Sequence, residues 1–159
     1  MLWAVQHDLL HRLLRGTAPV LSSAARTVGI LGVAALAALA AAALLNVSTA
    51  PMSRTFQQVA DADRAGVVLA WTATQAVLDA MLITGALLLS VTIVLFGYAL
   101  SRGLSPVLGW GAVAVGTAGL AGATIAAATP PSASAAVSIL GALAFHLAAG
   151  IRCIRLSRS

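Results

Sequence analysis

The chain has 159 residues, of which 60% are hydrophobic and only 8% charged, with a mean hydropathy of +1.01. Roughly a quarter of the residues in a soluble domain are charged, so this balance excludes a soluble globular protein and predicts a membrane protein with no room for a separate soluble domain. The basic residues are all arginine and give a pI near 11.5, but they border apolar runs and line no groove with aromatic platforms, which excludes nucleic acid as the partner.

Residues 1–16 read as an interfacial amphipathic helix. Leu2, Val5, Leu9, Leu10, Leu13 and Leu14 share one arc, while His7, Asp8, His11, Arg12 and Arg15 share the opposite one, with Trp3 at the interface. Gly16 and Pro19 are expected to end it. His7 and His11 are spaced i, i+4, a geometry that can hold a metal. Two imidazoles alone make a weak site, and the plainer reading is a solvated polar face. Charges and histidines precede the first apolar run, so no cleavable secretory signal is expected.

Residues 28–47 form span one, uncharged and rich in alanine and leucine, long enough to cross about 30 Å of hydrocarbon at 1.5 Å per residue. Asn46, Ser48, Thr49 and Pro51 mark its exit. In residues 53–78, Arg54, Gln57, Gln58, Asp61, Asp63 and Arg64 interrupt a helically spaced stripe of Phe56, Val59, Val67, Trp71, Thr74 and Leu78. This predicts an outer amphipathic helix that runs into span two, residues 80–100. Tyr98 and Arg102 anchor the inner end of that span, and Gly103, Ser105 and Pro106 make a tight turn. Span three covers residues 107–128, where Gly109, Gly111, Gly116, Gly119 and Gly122 remove bulk and predict close helix packing, as Gly29 and Gly32 do in span one. Thr129, Pro130, Pro131 and Ser132 form an uncharged outer turn before span four, residues 133–151.

Four crossings return the chain to the side on which it began. Arg12, Arg15, Arg26, Arg102, Arg152, Arg155 and Arg158 fall on that side, whereas Arg54 and Arg64 fall opposite, beside Asp61, Asp63 and Asp79. The excess of arginine marks the cytoplasmic side. The expected fold is an all-α integral membrane bundle of four transmembrane helices, a single domain in the plasma membrane with both termini cytoplasmic.

The stretch Phe96-Gly97-Tyr98-Ala99-Leu100-Ser101-Arg102-Gly103-Leu104-Ser105-Pro106-Val107-Leu108-Gly109-Trp110 resembles a recurring element in a bacterial family of small multi-span membrane proteins of unknown function. In that family a span ends in a glycine-tyrosine pair, followed by an arginine turn with a proline and a glycine-rich span. The resemblance covers residues 65–151 and implies an integral membrane location without implying an activity. Members often have six spans, and this chain has four.

Few residues can carry chemistry. His146 lies six residues before Arg152, roughly 9 Å along a helix, and an ionisable group at that depth is a candidate for haem ligation, proton relay or pairing with a carboxylate. The simpler reading is a neutral imidazole bonded to a neighbouring hydroxyl or carbonyl. A bis-histidine haem would need a second ligand at the same depth, which His7 or His11 supplies only if the first helix folds under the bundle. Gln75 and Asp79 are one helical turn apart and, with His146, outline a possible polar path; the simpler reading of Asp79 is a headgroup-level carboxylate near a helix start. The lone Cys153 rules out an internal disulfide or a cysteine-rich metal site, and no Ser-His-Asp set, nucleotide loop or zinc-protease motif is present.

These residues predict a non-catalytic structural, regulatory or accessory membrane subunit, with no cofactor or metal, whose partners are the lipid bilayer and other membrane subunits or a second copy. The alternatives are a small transporter or channel using Asp79 and His146, and a haem- or quinone-binding anchor centred on His146.

Overall fold

The structure is a computed structural model that describes residues 2–45, 49–129 and 134–156. It is 93% helix, with no strand among the described residues. The helices among the described residues are α1 (Leu2–Leu14), α2 (Pro19–Leu45), α3 (Thr49–Gln58), α4 (Arg64–Gly103), α5 (Pro106–Ala128) and α6 (Ser134–Leu156), with a 3-10 turn at Asp61–Asp63 before α4. Four of them are long and apolar enough to cross a membrane.

α4 is the centre. It packs against α2 on one side and α5 on the other, and α6 lies in the angle between α5 and α4. Shape complementarity depends on missing side chains: a Cβ on Gly97 would lie 2.8 Å from the Gly109 carbonyl oxygen and 2.8 Å from the Val113 nitrogen, and one on Gly116 would lie 2.9 Å from the Ser90 carbonyl oxygen. Backbone meets backbone, the usual way helices gain contact where lipid offers no hydrophobic driving force. Ser138 clasps α6 to α5 by donating from Oγ to the Gly119 carbonyl at 2.6 Å.

The turn between α4 and α5 marks what is termed here the proximal end. Two amides, those of Leu104 and Ser105, donate to the Leu100 carbonyl at 3.0 Å each. The Ser105 hydroxyl then accepts from the Leu108 amide at 3.4 Å with Pro106 in the first turn of α5, where the missing proline N–H costs nothing. Most of the large core side chains, Leu10, Leu14, Ile93, Phe96, Leu100 and Phe145, sit in this half of the bundle.

α1 causes that concentration. It fills the gap between α2 and α6, touching both as well as α4. Its end differs from expectation: the Thr17 and Ala18 amides turn back to the Leu14 carbonyl at 3.1 and 2.8 Å, and Pro19 opens α2 instead of only closing α1. α2 therefore begins nine residues before the expected span one, because Leu21, Ser22 and Ala25 are covered by α1 and its flanking turn. Its expected last residues, with Asn46 and Ser48, lie outside the described residues, as do Pro130, Pro131, Ser132 and residue 133.

The segment expected as one outer helix is broken. α3 ends at Gln58, the chain turns through Asp61–Asp63, and Arg64 starts α4 with its guanidinium 2.6 Å from Asp61 and 5.2 Å from the centre of the Phe56 ring. From there α4 runs unbroken for 40 residues, about 60 Å. Ser90 lies beside Gly119, so the remaining turns of α5 bring Ala128 level with about Met81. The part of α4 before Asp79 thus projects roughly 24 Å past the distal end of α5.

Candidate functional site

The buried polar centre of the molecule is built from its two sequence ends. Two turns into α1, His7 is fully buried, and α6 brings His146 against it with the two Nε2 atoms 3.1 Å apart. The hydrogen-bond network assigns the protons. His146 Nδ1 is 2.6 Å from the Ala142 carbonyl, which only a ring N–H can satisfy, so His146 Nε2 is the bare acceptor and His7 Nε2–H donates to it. Both imidazoles are neutral in this arrangement.

Aromatic rings enclose the pair. Trp3 stacks on His146 with centroids 4.7 Å apart, Phe145 meets His146 edge-on at 5.4 Å, and Phe96 of α4 lies 5.6 Å from His7. Gln6 adds a second tie from α1 to α6, donating from its amide to the His146 carbonyl at 2.8 Å. On the far side, His7 Nδ1 has no hydrogen-bond partner and faces Gly29 of α2, where any Cβ would collide with the ring. Burial, then the neighbouring His146, push the His7 pKa down from 6.5 to about 4. The cause is plain: a charged ring here would lose its hydration and place an N–H donor at Nδ1 with nothing to accept it.

Nearer the surface, Asp8 joins α1 to α2. Its carboxylate accepts from Arg12 Nε at 2.8 Å, and Arg26 Nε lies 2.9 Å away as an ion pair without hydrogen-bond alignment. His11 Nδ1 is 3.1 Å from the Ser22 hydroxyl, which itself donates to the Pro19 carbonyl at 3.2 Å.

The expected polar face of α1 is therefore corrected at His7. The apolar arc is about half a turn wide, and only part of it meets the bundle: Leu10 and Leu14 are buried, whereas Leu2, Val5, Leu9 and Leu13 face outward. His7 lies at the edge of the covered part, where the partner it finds is on α6. The i, i+4 relation to His11 does not bring those two rings onto a common ligand, and no group of three metal-binding side chains occurs among the described residues.

The polar path is divided. Gln75 and Asp79 are half-buried near the distal end, whereas His146 sits beside Phe96 and His7; along α4, Phe96 is about 25 Å from Asp79. Of the packing glycines, Gly116 and Gly119 are at close helix contacts and Gly122 is buried, but Gly111 is corrected: a Cβ there meets nothing within 4 Å. Gly29 and Gly109 hold equally close contacts, and Gly97 does so at a position that the glycine pattern did not single out. Arg12, Arg15, Arg26, Arg102 and Arg152 all lie toward the proximal end.

α1 does fold against the bundle, as haem ligation by His7 and His146 would require. The geometry does not fit that group. An iron between two axial imidazoles needs about 2 Å to each nitrogen, hence about 4 Å between them and room for a flat macrocycle, whereas these nitrogens are 3.1 Å apart under Trp3 and Phe145. No protein-family model, curated protein or solved structure matches the chain.

Proposed function

We propose that the chain is a multi-pass integral membrane protein of the plasma membrane, with both ends cytoplasmic, that acts without catalysis as a structural, regulatory or accessory subunit. The observation that carries this reading is how little of α2 the rest of the chain covers. The most apolar stretch of α2 is 17% buried, against 44% for α4, and α2 meets only α4 and α1 among the described helices. Its uncovered face carries Ala34, Ala37, Ala38, Ala40 and Ala41, a surface on which a further helix can pack closely.

The distribution of arginines supports the orientation. Arg12, Arg15, Arg26, Arg102 and Arg152 flank the proximal end, while Arg54 and Arg64 stand at the other among Asp61 and Asp63, in line with the positive-inside rule. In this reading α1 lies at headgroup depth in the cytoplasmic leaflet, with Asp8, Arg12 and Arg15 toward water and Leu2, Val5, Leu9 and Leu13 toward lipid. α3 and the projecting part of α4 form the outer amphipathic region. The resemblance of the 96–110 turn to small bacterial multi-span proteins agrees with it.

The test is crosslinking in native membranes followed by extraction in mild detergent. A stable homo-oligomer or a co-purifying membrane protein, crosslinked through cysteines placed at Ala34 or Ala38, is the expected result. A protein that remains strictly monomeric and partnerless would overturn the accessory reading.

A further inference from the structure

We propose that the proximal half of the α5–α6 seam binds one anionic phospholipid, with an acyl chain along the seam and the phosphate on Arg152. This rests on the membrane reading above, with the proximal end cytoplasmic.

The seam holds an apolar groove of about 320 Å³ lined by Leu108, Gly111, Ala112, Val115, Ala144 and Ala148, among others. It continues, through the shared walls Leu108 and Ala148, into a notch formed with Ser105, Ile151 and Arg152. The groove opens between the larger walls Val107 and Phe145 where short residues leave space: Gly111 meets nothing, and Ala144 and Ala148 stand on α6. Farther along, the same two helices close tightly, where Val115 meets Gly141 and Ser138 clasps Gly119.

Length and charge select the occupant. From Val115 to Ser105 the groove runs about 15 Å, half of a hydrocarbon core of about 30 Å and so the depth of a single leaflet. Trp110 and Tyr98, exposed and edge-on at 5.6 Å, lie in the same half of the molecule, as expected of amphipathic rings on the interfacial side of a leaflet. Arg152 at the foot of the groove is exposed and forms no ion pair among the described residues. The one described carboxylate at this end, Asp8, is already between Arg12 and Arg26. The unmatched cation therefore calls for an anion, and the apolar groove above it for a chain. A zwitterionic lipid brings its own cation and gains less.

The measurement is lipid retention by native mass spectrometry and melting in detergent, with phosphatidylglycerol, phosphatidylcholine and inorganic phosphate as probes. The parent should retain one phosphatidylglycerol about fivefold more tightly than phosphatidylcholine, the scale of one arginine near an anionic headgroup. Arg152→Gln should abolish that preference while still binding lipid, and Ala148→Phe, which fills the groove, should lower binding of both lipids. Circular dichroism and the lipid-free melting temperature identify any variant that fails to fold; in that case Ala148→Leu replaces Ala148→Phe. Equal retention of the two lipids by the parent, an unchanged preference in Arg152→Gln, or stabilisation by inorganic phosphate alone would overturn the site. Alkaline carbonate extraction of native membranes, run alongside, separates this from failure of the membrane reading: release of the chain would sink the latter whatever the lipid result.

Discussion

Because His146 donates its Nδ1 proton to Ala142, the single hydrogen between the two imidazoles comes from His7, and either partner left alone is a buried polar group without a match. His146→Ala should weaken docking of α1 by about 2–4 kcal/mol, the sum of a stranded His7 N–H and the cavity left beneath Trp3. Cys153 offers the readout, since it shares an apolar notch with Leu9, Arg12 and Leu13 of α1. Its reaction with a maleimide at neutral pH should accelerate at least about tenfold, and an unaltered rate would mean that the pair does not hold α1. The sign of the pH effect follows from the same geometry. Freed from the bundle, His7 takes up a proton near pH 6.5, whereas docked it does so only near 4, so docking is at full strength above 6.5 and weakens as pH falls toward 4. The charged groups around it are Asp8 and Arg12 on α1 and Arg26 on α2, with His11 one turn on and His146 on α6. Trp3 fluorescence, read in a chain with Trp71→Phe and Trp110→Phe, should report release over that window, and His7→Leu should remove the dependence. A flat titration of the parent from 7 to 4 would contradict it. Sequence placed His146 at a depth where an ionisable group needs a partner, yet it could not name the partner. The period of 3.6 puts His7 at the border between two arcs, and which arc is covered depends on α2 and α6.

At the scale of the helix, the two kinds of glycine on α4 and α5 behave oppositely. Gly97 is pressed against the backbone of α5 at Gly109 and Val113, so Gly97→Val must force the central helices apart, at a cost of about 2 kcal/mol or more. Gly111 borders open space, and Gly111→Ala should be neutral or stabilising by up to about 1 kcal/mol through helix propensity. Melting temperatures of the two variants in one detergent check this; equal destabilisation would show that the glycines act through helix propensity alone. Helix limits were legible where turns flank an uncharged run, since α5 begins one residue before the expected span three and ends with it, whereas α4 begins well before the expected start of span two at Ala80. Uncharged length and flanking turn residues set those limits locally. The break at Asp61–Asp63 was not legible, because the stripe from Phe56 to Trp71 keeps helical spacing on both sides of a turn that only the pairing of Arg64 with Asp61 and Phe56 reveals. Nor was the early start of α2, which depends on the cover that α1 gives it.

For the molecule as a whole, the position of α1 ties the topology of the two sequence ends together. α1 lies against α6 beside Cys153, and Thr17 at its exit touches Gly103 at the end of α4, so these four places must lie on one side of any membrane the bundle crosses. The α3 helix and the start of α4 then lie on the opposite side, separated from Arg102 by more than the 30 Å of hydrocarbon that about 20 helical residues cross. A sided labelling experiment tests both statements at once. In cells, Cys153 should react only with a thiol reagent that enters the cytoplasm, whereas Gln57→Cys in a Cys153→Ser background, exposed on α3, should react with an impermeant one. Reversal of both results would keep the bundle and overturn the orientation drawn from the arginines. Labelling of both positions from one side would overturn the bundle itself, because α4 could not then cross between them.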